Sequence, residues 1–149
     1  MSHNDTLRSI TAALKLSDAS LATIVALGGG NAETETLSTY LKGRDDVGFA
    51  PCPPTVMAQF LNGLVTFKRG SQEGQAPAPL ETAVTNNVVL KKIRVALALK
   101  DRDIATLFVR AGIVVSKSER AAFFRHRDDT HYRECSDPVL EKFLASLTG

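Results

Sequence analysis

The densest group of side chains able to do chemistry lies between His126 and Cys135, in the run His126-Arg127-Asp128-Asp129-Thr130-His131-Tyr132-Arg133-Glu134-Cys135. Three chemistries suit these residue types. Structural zinc takes four ligands drawn from Cys, His and carboxylates. His126, His131 and Cys135 offer three, with Asp128 or Asp129 as the fourth. A cysteine nucleophile needs a neighbouring base and an electropositive, partly exposed site, and His131 lies four residues from Cys135. The paired carboxylates Asp128 and Asp129 suggest acid–base work, although adjacent residues in a loop point in different directions.

A second copy of the segment decides among these. Residues 4–66, shifted by 83 positions, align without a gap on residues 87–149. Asn4, Leu7, Ile10, Ala13, Leu14, Leu16 and Asp18 fall on Asn87, Leu90, Ile93, Ala96, Leu97, Leu99 and Asp101. Ala22, Thr23 and Gly29 fall on Ala105, Thr106 and Gly112; Arg44, Asp45, Asp46 and Cys52 on Arg127, Asp128, Asp129 and Cys135; Val56, Phe60, Leu61 and Leu64 on Val139, Phe143, Leu144 and Leu147. Such a repeat governs any fold assignment. Where the second copy has His126 and His131, the first has Gly43 and Gly48. Arg-Asp-Asp and Cys survive in both copies, and they are not a metal set. The expectation is a structural loop, with Arg44, Asp45, Asp46, Asp128 and Asp129 tied by arginine–aspartate pairing. Cys52 and Cys135 then pack as small buried hydrophobes. No metal, no cofactor and no catalytic residue is expected, and with neither a phosphate loop nor a nucleophile elbow the chain reads as a binding module rather than an enzyme.

The elements that position these residues are helices. Leu7, Ile10, Ala13 and Leu14 form an apolar stripe at helical spacing in Asp5–Leu16, capped by Ser2 or Asn4. Ser17 or Asp18 opens a second helix, to about Leu27, which Gly28-Gly29-Gly30 stops. A third runs from about Ala32 to Lys42. Its counterpart begins with the capping box Ser116…Glu119. A fourth, about Thr55–Phe67, is entered through Cys52-Pro53-Pro54. Asn86 or Asn87 should cap the fifth helix, where the pattern repeats, and Ile113-Val114-Val115 is too short for a strand. The reading is all-α: two tandem four-helix repeats related by pseudo-twofold symmetry, repeat 1 over residues 1–67, a linker over 68–86 and repeat 2 over 87–149. Ala76-Pro77 and Ala78-Pro79 should be extended within that linker. A repeat of this size is marginal alone, so the copies should pack on each other or on a second chain.

Helix two, a glycine turn and helix three resemble a helix-turn-helix. In repeat 2 this unit carries Lys117, Arg120, Arg125 and Arg127, the candidate nucleic-acid contacts. In repeat 1 the equivalent stretch carries Glu33 and Glu35. Residues 1–70 balance six basic against six acidic groups, whereas residues 87–149 carry twelve against eight. This asymmetry fits an anionic partner but is mild. The expected partners are a nucleic acid or a protein, including a second copy of the chain. No run of about 18 apolar residues suggests a membrane span, and the N-terminus has no basic-then-apolar signal, so a cytoplasmic location is expected.

The duplicated module, the Arg-Asp-Asp loop closing on Cys52 and Cys135, and Phe67-Lys68-Arg69-Gly70 after the first copy resemble the bacterial YehS-like family, a tandem domain of unknown function. The resemblance covers essentially the whole chain. It implies a small bacterial cytoplasmic protein and brings no catalytic residues with it.

Overall fold

A computed structural model of the chain describes residues 1–70 and 79–148. The expected extended backbone at Ala76-Pro77 and Ala78 falls outside them. Eight helices follow in order among the described residues: α1 His3–Ala13, α2 Asp18–Leu27, α3 Thr34–Leu41, α4 Pro54–Arg69, α5 Asn86–Ala96, α6 Asp101–Arg110, α7 Lys117–Ala122 and α8 Asp137–Ser146. No strand occurs among the described residues, Ile113–Val115 included.

Short polar residues start most of these helices by accepting the free amides of a first turn. Ser2 Oγ accepts from Asp5 N (3.1 Å), and Asp5 Oδ2 accepts in return from Ser2 N (3.2 Å). Ser17, Thr85 and Ser136 cap α2, α5 and α8, and Ser116 with Glu119 forms the expected box at α7. Thus Asn4, Asn86 and Asn87 are not caps; Asn86 is the first residue of α5, and Asn4 and Asn87 lie buried within the first turns of their helices. α2 and α6 end alike. Gly29 (φ 87°) and Gly112 (φ 75°) take the left-handed conformation. The amides of Gly30 and Ile113 then return to the carbonyls of Val25 and Phe108, each at 2.9 Å.

The two repeats pack reciprocally. α1 lies on α8, and its counterpart α5 lies on α4, the counterpart of α8. Swapping the repeats therefore exchanges one contact for the other, which is the pseudo-twofold relation. One continuous apolar cluster runs through both, with Leu7, Ile10, Phe60, Leu64, Leu90, Ile93, Phe143 and Leu144 at 1% exposure or less. Each repeat thereby gains the buried surface that a unit of this size lacks by itself.

Several boundaries differ from expectation. The first helix spans His3–Ala13 rather than Asp5–Leu16. α4 runs on to Arg69, two residues past Phe67, and stops at Gly70 (φ 78°). α7 has only six residues and ends at Ala122, so Arg125 lies in a turn rather than on a helix. Arg120 stands where repeat 1 has the core residue Leu37, 2% exposed, so α7 has less to bury. The long basic helix expected in repeat 2 is replaced by a short helix and a loop.

Candidate functional site

The loop after α3 and its counterpart after α7 are fastened by the same ties. Ala50 N donates to Thr39 O (3.3 Å) and Arg133 N to Ala122 O (3.2 Å), so each loop folds back on the helix before it. Asn4 Nδ2 donates to Tyr40 O (3.1 Å) and Ala50 O (2.9 Å), while its Oδ1 accepts from Cys52 N (2.9 Å). Asn87 repeats the set on Phe123 O (3.0 Å), Arg133 O (2.8 Å) and Cys135 N (2.8 Å). Both amide hydrogens and the amide oxygen of each buried asparagine are engaged.

The expected arginine–aspartate pairing is therefore not what ties the loop. Arg44 and Arg127 are exposed and form no ion pair among the described residues. Asp46 instead accepts from the Gly43 amide (2.8 Å). Asp129 accepts from the His131 amide (2.7 Å) and pairs with Arg125 (3.4 Å). Asp45 is exposed, and Asp128 lies 3.4 Å from His126 Nδ1. Sequence reasoning misses the asparagines as clamps, although a signal for them exists. An identical residue stands inside the first turn of both α1 and α5, where asparagine is a poor helix former.

The metal candidates do not converge. Cys135 is 5% exposed and its thiol faces the Ser136 carbonyl (3.6 Å), whereas the His126 side chain is 76% exposed. Among the described residues no three of His, Cys, Asp and Glu form a metal-binding group. Cys52 and Cys135 are equally poor nucleophiles, because burial pushes both thiols up to about 11.

What remains is a cationic groove in repeat 2, of ≈ 420 Å³, between α7 and its loop, lined by Ser118, Glu119, Ala122, Arg125, His131 and Arg133. Arg133 is held over the Phe123 ring at 5.7 Å and pairs with Glu119. Hydrogen bonds from the Ser116 backbone and from Arg133 lower the Glu119 carboxyl, so it stays charged. The His131 amide does most to lower Asp129, with Arg125 adding to it. Lys117 and Arg127 are exposed, and Arg120 is half-buried.

Fold and site together define a tandem all-helical repeat protein without an assembled catalytic centre among its described residues. The family described as "Protein of unknown function (DUF1456)" matches twice, over residues 3–70 and 86–149, and the chain belongs to it. It is 40% identical over 149 residues to the "Uncharacterized protein YehS" of Escherichia coli (strain K12), covering 100% of this chain and 96% of that protein. No solved structure matches. No single helix among the described residues is long and apolar enough to cross a membrane.

Proposed function

We propose that the protein is a non-enzymatic binding module that meets a nucleic-acid backbone through repeat 2. The supporting observation is a change of charge on a repeated scaffold. At the same turns where repeat 1 presents Glu33, Glu35, Thr34 and Ala50, repeat 2 presents Ser116, Ser118, Lys117 and Arg133. Arg125 and Arg127 stand on the same loop, at positions where repeat 1 also has the cations Lys42 and Arg44, and Arg120 replaces a core leucine. Phosphates are the anions such a cluster of guanidinium forks fits best. Contacts of this kind position a backbone and do not read sequence.

The test is an electrophoretic shift with short single- and double-stranded oligonucleotides across a salt series. Binding should fall steeply with rising salt. Lys117→Gln and Arg127→Gln each withdraw one cation from the backbone, and each should flatten the salt slope by about one. Absence of binding at low salt overturns the reading. A protein partner is the second reading, favoured by Val109 and Val114, which are 78% and 98% exposed on repeat 2. A monomer by light scattering with nothing captured on immobilised protein would count against it.

A further inference from the structure

The groove between α7 and its loop is lined in repeat 2 by residues that would hold an anion, and repeat 1 differs at the matching positions. In repeat 1 the equivalent cation, Lys42, lies across Gly48. Its Nζ donates to the Val47 carbonyl (3.2 Å) and would sit 2.9 Å from a side chain placed on Gly48. A side chain at that position would make the lysine tip move aside. Repeat 2 has His131 there, and its cation, Arg125, turns instead to Asp129. The groove there is bounded by Ser118, Ala122, Arg125, His131 and Arg133, with the Glu119 carboxylate on its wall paired to Arg133.

We infer that this groove is a seat for a phosphate group, held between the Arg125 and Arg133 guanidiniums with His131 and Ser118 completing it. Arg133 is preorganised by its stacking on Phe123. Arg125 and Arg133 each give one terminal nitrogen to a carboxylate, leaving further donors of the fork unused. Both ion pairs are solvent-exposed, 47% and 34% for Arg125–Asp129 and 52% and 45% for Arg133–Glu119. Exposed pairs contribute little, so a dianion meets weak competition for the same donors. Repeat 1 offers Lys42, Gly48 and Ala50 at the corresponding positions, one cation where repeat 2 has two. As a seat for a backbone or terminal phosphate of a nucleic acid the site rests on the function proposed above; as a phosphate site it stands apart from it.

The experiment follows backbone amide shifts of the full chain while inorganic phosphate is added, then repeats the titration with a short oligonucleotide carrying either a 5′-phosphate or a 5′-hydroxyl. Saturable shifts at Ser118, His131 and Arg133 are expected, with none at Glu35, Gly48 and Ala50. Arg133→Gln and His131→Gly should each weaken phosphate by roughly tenfold, whereas Lys142→Gln on α8 should leave it unchanged. Circular dichroism identifies any variant that has lost its fold, and the second variant then carries the test. Shifts scattered over both repeats, or phosphate binding indifferent to both variants, would overturn the seat even if the oligonucleotide still binds. Phosphate binding that needs Arg133 while neither oligonucleotide binds would keep the seat, discard the nucleic acid, and identify a small phosphorylated molecule as the ligand class. A preference for the 5′-phosphate that vanishes in Arg133→Gln would identify a strand end.

Discussion

Repeat 1 and repeat 2 share a chain trace, a clamp and a terminal glycine turn, yet they fill their interiors by opposite means. In repeat 1, α2 and α4 touch backbone to backbone. A side chain on Gly63 would lie 1.7 Å from the Ile24 carbonyl oxygen, and one on Gly28 would lie 1.8 Å from that of Gln59. The corresponding residues of repeat 2 are Ser146 and Ala111. Side chains at those positions hold α6 and α8 further apart, and Phe108 stands where repeat 1 has Val25. Its ring meets Phe143 at 5.6 Å and Phe123 at 6.1 Å. One half closes by omitting side chains and the other by enlarging one. A duplicated unit can therefore diverge inside while preserving the reciprocal packing that both halves require.

The largest expected effect removes the filler. Phe108→Ala should cost about 4 kcal/mol, because it deletes a fully buried ring from a site whose helices are held apart. Chemical denaturation measures it. A loss below about 1 kcal/mol would mean that α6 and α8 can collapse to the spacing of α2 and α4, and the distinction between the halves would then be soft. The complementary change adds an atom to the tight half. Gly63→Ala should cost about 3 kcal/mol, since the clash is with a backbone carbonyl and no rotamer relieves it. Ser146→Ala, its counterpart, should cost less than about 1 kcal/mol, losing only the hydroxyl bond to Phe143 O (2.6 Å). Equal costs at the two positions would break the comparison.

A third pair tests what the halves have in common. Asn4→Ala and Asn87→Ala each strip three hydrogen bonds from buried or half-buried backbone groups and should each cost about 2–3 kcal/mol. The two losses should be similar, because the geometries superimpose bond for bond. In addition, Asn87→Ala should free the Phe123 carbonyl and loosen Arg133. Proton exchange at the Cys52 and Cys135 amides reads the clamp directly. A cost confined to one repeat would show that the other loop is held by something else.

How much of this is legible beforehand follows from what a repeat can and cannot signal. The eight helices and their doubling are readable, since apolar spacing and identical positions are properties of the chain alone. The Gly29 and Gly112 turns are readable because glycine reports backbone conformation. The clamps are not, because Asn4 and Asn87 sit near helix starts and capping explains them cheaply; only the distant carbonyls of Tyr40 and Phe123 give them their role. The six-residue α7 is hidden because the capping box Ser116…Glu119 reports where a helix starts and not where it stops. Ser116 with Lys117, Arg120 and Arg125 suggests one continuous basic helix, and the structure divides those cations between a short helix and a loop. The groove itself depends on Arg125 turning to Asp129 and Arg133 lying over Phe123, contacts that no spacing rule contains.

The smallest prediction concerns a feature both halves keep at some cost. α1 and α5 end in the same kind of turn as α2 and α6, with Leu16 N returning to Thr11 O and Leu99 N to Arg94 O, each at 2.9 Å. Yet the left-handed residue is Lys15 (φ 54°) in one and Ala98 (φ 53°) in the other, not glycine. An L-residue held there is strained by about 1–2 kcal/mol, and glycine gives back part of that gain through its freer unfolded chain. Ala98→Gly should therefore stabilise the fold by about 0.5–1 kcal/mol, read as a small rise in melting temperature. Ala98 is exposed, so no packing is sacrificed. Lys15→Gly should give the same gain in repeat 1, where the side chain is also exposed. A gain at one position and a loss at the other would mean that the two turns, alike in backbone, carry different loads, and that the divergence seen around Gly63 and Phe108 reaches the ends of the first helices as well.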